Sequence, residues 1–202
     1  MRKWIFCAQM LLLPWLLWGC GKTEAAPELR TRYETLQTCE MEAVVSCTWD
    51  DEVRDYRLHC AYDRAGSSTI EVLEPENLAG VTATVEGDSL QLAYDDAVLS
   101  AGTINGLSPA DCLPRLMGTL GEGWLLAESR ETWGDIPCLR LTFDTTGADG
   151  GKIVDTIWLG LADGAPVHGE TAVAEEIIFQ VEFTKFDFGA TITEDMTTAP
   201  VA

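Results

Sequence analysis

The spacing of hydrophobic positions changes along this chain, and each change predicts a new element. From Pro27 the residues Leu29, Tyr33 and Leu36 recur at i, i+4 and i+7, the stripe of an amphipathic helix opened by proline. From Glu40 the period becomes two. Met41, Ala43, Val45, Cys47 and Trp49 share one strand face, and Tyr56, Leu58, Cys60 and Tyr62 share a face on the next strand. Ile70 and Val72 mark a third strand that ends before Pro75. Val81, Ala83 and Val85 form a fourth, and Leu90, Leu92 and Tyr94 a fifth beyond the hairpin signal Glu86-Gly87-Asp88.

A second helical stripe follows, with Leu113, Leu116, Met117 and Leu120 behind the start signal Ser108-Pro109-Ala110-Asp111. Pro114 inside it predicts a kink, or a split into a turn and a short helix, and Gly121 and Gly123 end it. Five more strands are predicted at 124–131, around Leu139-Leu141-Phe143, around Ile153-Asp155-Ile157, from Pro166 to Ala172, and from Glu176 to Phe186. In the last, Ile177, Phe179, Val181 and Phe183 face one way, and Gln180, Glu182 and Thr184 the other. Connections between strands are short, so the sheet is expected to be antiparallel. About ten strands with one apolar face must curl. The fold class expected is α+β, mainly β: a curved, incomplete antiparallel barrel whose concave face is plugged by two short helices.

The segment before Pro27 has a different character. Arg2 and Lys3 precede an apolar run from Trp4 to Trp18, too short for the ~20 residues of a bilayer span. A basic start and short apolar core read as a secretory signal. The closing Leu17-Trp18-Gly19-Cys20 resembles the lipobox of bacterial lipoproteins, in which the segment is cut before the cysteine and its sulfur carries a lipid. That resemblance implies a signal peptide at 1–19, lipidation (diacylglycerol, with palmitate-type chains) at Cys20, a tether at 20–26 and a membrane-anchored, extracytoplasmic protein. The folded domain is expected over 27–190, with a flexible, Thr-rich tail at 191–202.

Charge narrows the partners. The formal net charge is −20, and loss of Arg2 and Lys3 leaves 11 basic against 33 acidic residues, or −22. No basic cluster remains to neutralise phosphates, which argues against nucleic-acid binding and against docking on anionic lipid by charge. Attachment to the membrane then falls to the lipid on Cys20.

Outside the cytoplasm, cysteines can pair. If the connection Asp50–Asp55 centres between Val53 and Arg54, Cys47 lies opposite Cys60 and Val45 opposite Tyr62. A Cys47–Cys60 disulfide is therefore expected, against the alternative of two reduced, buried thiols. Cys112 with Cys138 is a second candidate pair, and Cys39 is left over. No spacing matches a zinc site.

Val72-Leu73-Glu74-Pro75, Leu78-Ala79-Gly80-Val81, Leu90-Gln91-Leu92-Ala93-Tyr94, Ser108-Pro109 with Leu113-Pro114 and Leu116, Pro166, Glu170, and the closing Val181-Glu182-Phe183-Thr184-Lys185-Phe186 together resemble the LolA-like lipoprotein-carrier fold. They are most similar to small LolA-like lipoproteins of spore-forming Firmicutes, germination lipoproteins included. The resemblance implies an incomplete barrel with helices in its mouth. The lipobox separates this chain from the soluble shuttles of that family.

Catalytic chemistry has no footing in the sequence. His59 and His168 have no partner at metal spacing, Ser108 lies outside any G-x-S-x-G, and the glycines of 118–123 do not form a phosphate loop. Asp50-Asp51-Glu52 and Asp95-Asp96 read as solvated turns or, at most, weak Ca²⁺ sites. No cofactor is implied. The remaining constellation is apolar: Val45, Leu58, Val72, Val85, Leu92, Leu141, Ile157, Phe179, Val181 and Phe183 line the expected concave face. They hold a hydrophobic ligand if that face is open and form ordinary core if the helices fill it. The expected function is a non-catalytic, lipid-binding module. The alternative is a protein-interaction scaffold at the cell envelope or spore.

Overall fold

The computed structural model describes residues 26–49, 52–87, 89–95, 97–103, 107–145 and 151–189. The signal segment, Cys20, most of the tether, the tail at 191–202 and the acidic residues Asp50, Asp51 and Asp96 lie outside the described residues. The chain order is α1 (Ala26–Thr35), β1 (Thr38–Trp49), β2 (Glu52–Asp63), β3 (Ser68–Glu74), a short turn of helix at Glu76–Leu78, β4 (Thr82–Glu86), β5 (Ser89–Tyr94) and β6 (Ala97–Thr103). Then come α2 (Cys112–Glu122), β7 (Trp124–Trp133), β8 (Ile136–Asp144), β9 (Ile153–Gly160), β10 (Pro166–Val173) and β11 (Glu176–Phe188).

The eleven strands form one antiparallel sheet in the order β6-β5-β4-β3-β2-β1-β11-β10-β9-β8-β7. It is not closed into a barrel: β6 and β7 are both edges. The first and last strands meet in the middle and split the sheet into two wings. The expected mainly-β fold with two helices is the one observed, with one strand, β6, beyond the expected ten.

Both helices lie against the concave face. Leu29, Tyr33 and Leu36 of the α1 stripe are buried, as are Leu113, Leu116, Met117 and Leu120 of α2. At the start of α2 the amides of Asp111 and Cys112 donate to the Ser108 carbonyl at 3.2 and 3.1 Å, closing a turn before the helix proper. Pro114 thereby falls in the first helical turn, where a missing N–H leaves no bond unmade. The stripe from Leu113 to Leu120, Pro114 included, thus lies in one helix with a turn before it, and the helix is not split at Pro114. Gly169 on β10 permits the close approach of α2, because a Cβ there would sit 3.1 Å from Leu116 Cδ1. Arg64 ties the helices together: its guanidinium donates to carbonyls at the end of α1, including those of Tyr33 and Leu36, and to the Glu122 carboxylate at 2.9 Å.

The β1–β2 register corrects the expected disulfide. Only two residues separate the strands, and Cys47 pairs with Arg54 while Cys60 pairs with Met41. Val45 faces Tyr56, not Tyr62. Cys47 and Cys60 share the concave face but stand six pairs apart along the ladder, about 20 Å, beyond any disulfide. The expected wide turn misreads Glu52–Asp55, which are strand residues. Cys39, Cys47, Cys60, Cys112 and Cys138 are all free, so the Cys112–Cys138 pairing does not form either.

Two bulges on β11 reset its faces. Between the pairs Glu42–Lys185 and Ala43–Phe183, Thr184 has no opposite residue. Between Thr171–Phe179 and Ala172–Ile177, Ile178 has none. Each extra residue reverses the alternation beyond it. Phe186 and Phe188 thus turn inward to meet Tyr33, with ring centroids 6.4 and 5.8 Å away. Ile177, expected inward, is left 39% exposed.

Candidate functional site

The ten expected concave residues divide by how far the helices reach. Val45, Leu58, Leu141, Ile157, Phe179 and Val181 are fully enclosed in the core beneath α1 and α2. Val72, Val85, Leu92 and Phe183 are partly buried against it. Most of the expected cavity is therefore core, filled by helix side chains.

Open space remains at the far end of one wing. A groove of about 320 Å³ lies at the β5–β6 end of one wing, lined by Asn77, Leu78, Val81, Leu92, Ala93, Tyr94 and Ala97. Its size falls at the lower end of small-molecule pockets, about 300–1,000 Å³. Leu92 is the single member of the expected ten that lines it. The short helical turn at Glu76–Leu78 supplies Asn77 and Leu78. Backbone bonds from Val72 N to Val81 O (2.9 Å) and from Gly80 N to Val72 O (3.0 Å) hold that connection on β3. Apart from the Asn77 amide and the Tyr94 hydroxyl, the lining side chains are hydrocarbon. The signal in the sequence was Leu78, an apolar residue in what otherwise reads as a connecting turn, next to Val81 at the start of the fourth strand pattern.

A second, shallower depression of about 690 Å³ lies beside α2, lined by Arg115, Gly118, Thr119, Glu122, Gly123, Trp124, Asp144 and Thr145. Arg115 is already committed there: its Nη1 is 2.6 Å from Asp155 Oδ2. Asp155, wholly buried, also accepts hydrogen bonds from Thr119, Thr145 and Thr171 at 3.2, 3.0 and 2.7 Å. This polar knot anchors α2 to β9 and β10.

The thiols are held neutral. Burial pushes Cys39 and Cys112 up to about 12 and raises Cys60 as well. Among the described residues no three His, Cys, Asp or Glu side chains converge as a metal site. His59 lies on the outer face 4.0 Å from Glu40, and His168, on the same face, is buried under two tryptophans. No helix among the described residues is long and apolar enough to cross a membrane.

No protein-family model matches this sequence, and no curated protein sequence does. Solved structures do match. A LolA superfamily protein from Nitrosomonas europaea aligns over 86% of this chain and 97% of its own, at 11% identity and a TM-score of 0.47. An uncharacterised conserved protein from Thermus thermophilus aligns over 87% and 94%, at 11% identity and a TM-score of 0.51. A domain from Vibrio parahaemolyticus, provisionally assigned to outer-membrane lipoprotein sorting, aligns over 84% and 93%, at 11% identity and a TM-score of 0.50. The fold is LolA-like. Identity this low carries the fold alone. Within this LolA-like fold Ile70, Ala83 and Leu90 of β3–β5 are buried with the central strands, and the apolar groove lies beyond them, at Leu92–Ala97 and the Glu76–Leu78 turn.

Proposed function

We propose that this chain is a membrane-anchored, extracytoplasmic binding protein, held by a lipid on Cys20, that takes an apolar ligand such as an acyl chain without catalysing a reaction on it. The observation that carries the reading is the groove lined by Leu78, Val81, Leu92 and Ala97, a hydrocarbon surface that the described residues leave uncovered. Asn77 and Tyr94 offer one amide and one hydroxyl at its margin, enough to orient a polar head but no acid–base pair to act on it. Native mass spectrometry of gently purified protein should show co-purifying lipid, and a fluorescent fatty acid should bind with saturation. An empty protein that takes up no fatty acid would count against the reading.

A second reading, a protein-interaction scaffold at the envelope or spore, draws on β7. This edge strand is exposed over nearly its whole length, with Trp124 76% and Leu126 49% exposed. Pull-down from envelope extracts should then return one defined protein that Trp124→Ala no longer retains.

A further inference from the structure

We propose that His168 is a proton-operated clasp that fastens the β7–β8 hairpin onto the outer face of the sheet. His168 is 2% exposed although it lies on the convex side, away from the core. The Trp133 ring covers it, with centroids 3.7 Å apart and planes 13° from parallel, and Trp158 closes a second side at 5.0 Å. Both ring nitrogens lie near carboxylates: Nε2 is 3.3 Å from Glu170 Oε1 in hydrogen-bonding geometry, and Nδ1 is 2.8 Å from Glu182 Oε1 without the alignment of a hydrogen bond.

A carboxylate only accepts hydrogen bonds, and a neutral imidazole has a single N–H. The neutral ring can therefore donate to Glu170 and sets an uncharged nitrogen beside Glu182. The imidazolium is within ion-pair distance of both carboxylates, and its charge lies against the Trp133 face, where a cation is attracted to the ring. The remaining charged neighbours favour the same state. Glu131 on β7 accepts from Trp158 Nε1, and Arg140 on β8 lies 3.9 Å from Glu131 and 5.3 Å from the Trp158 ring. Three carboxylates thus face one guanidinium, and β9 contributes only the uncharged Trp158.

The clasp acts on a strand that needs it. β7 has a single neighbour, β8. Trp133 ends β7 next to the tight turn at Gly134, whose φ is 58°. From there it reaches over β8 and β9 to His168 on β10, so proton loss at His168 weakens the one aromatic contact that spans those strands. A proton gained at His168 therefore tightens the hold on the hairpin tip, and a proton lost loosens it.

Amide hydrogen exchange of the full chain over residues 130–137, at about pH 5.5 and about pH 8 and corrected for intrinsic rates, tests this. Losing one charge-assisted contact predicts roughly tenfold less protection at the higher pH. In His168→Gln the pH difference should vanish, and in Glu182→Gln, where the amide suits either state of the ring, it should shrink. His59→Gln should retain it in full. Should His168→Gln not fold, the Glu182→Gln and wild-type comparison decides. Protection independent of pH in the wild type, or a pH difference that persists undiminished in Glu182→Gln, overturns the proposal.

Discussion

Arg115 reaches from α2 to Asp155 on β9, and their side chains meet at 2.6 Å where Asp155 has no exposed surface. The pair is the polar counterpart of the Leu116–Gly169 contact on the same helix. Breaking a buried pair by removing one charge strands the other, at a cost of about 3–5 kcal/mol. Asp155→Asn should therefore lower the urea midpoint by that equivalent. The double change Arg115→Met with Asp155→Leu should not recover the loss, because the hydroxyls of Thr119, Thr145 and Thr171 then lose their shared acceptor.

The groove makes a separate prediction. Ala97 lies at its rim on an exposed edge strand, opposite Tyr94. Ala97→Trp should fill the space and weaken fluorescent fatty-acid binding on the order of tenfold, about 1.4 kcal/mol. Thermal stability should be nearly unchanged, which separates a blocked groove from a damaged fold.

The thiols predict an alkaline limit. Ordinary thiols ionise near 9.0, while folded Cys39 and Cys112 keep their protons to about 12 because burial disfavours the thiolate. The folded chain binds more protons than the unfolded one throughout that interval. Stability is intact below pH 9 and falls as pH climbs toward 12, by up to about 1.4 kcal/mol per pH unit for a fully buried thiol. Urea midpoints measured across that window should drop, and Cys112→Ser should flatten the slope. Iodoacetamide at neutral pH should leave Cys112 unmodified until the chain is unfolded.

Tyr33 gives the smallest test. Its hydroxyl donates to the Gly164 carbonyl at 2.7 Å from inside the core, joining α1 to the β9–β10 connection. Tyr33→Phe keeps the ring between Phe186 and Phe188 and loses only that bond, so about 1–2 kcal/mol of stability should go. A larger loss would mean that α1 had undocked.

The parts of this fold that were legible in the sequence are those governed by local periodicity. The Leu29-Tyr33-Leu36 stripe marked α1, and alternation marked ten strands. β6 escaped because Ala97 to Thr103 mixes small and apolar residues without a clean period of two. The bulges at Thr184 and Ile178 escaped for a different reason. Three apolar residues in a row hide the shift at Ile178, and the phase slip between Phe183 and Phe186 acquires its meaning only when pairing with β1 shows that Thr184 lacks an opposite. The Cys47–Cys60 expectation failed because Glu52 to Asp55 look like a turn by charge, yet charged residues are well tolerated on a solvent-facing strand. The groove was out of reach for local patterns, since it forms where the Glu76–Leu78 turn meets β5 and β6.

Pairing of β1 with β11 at the centre of the sheet has a consequence for the order of events in folding. Cys39 lies opposite Phe188, residues nearly the whole folded length apart. Ladders that join distant segments form late, because the intervening loop must close first. Each wing can zip up as a series of local hairpins, but β1 keeps one open side until the last strand arrives. A chain emerging from a ribosome or a translocation pore would therefore hold two half-finished sheets. Their union into a single cooperative unit waits on the final thirteen-residue strand, Glu176–Phe188.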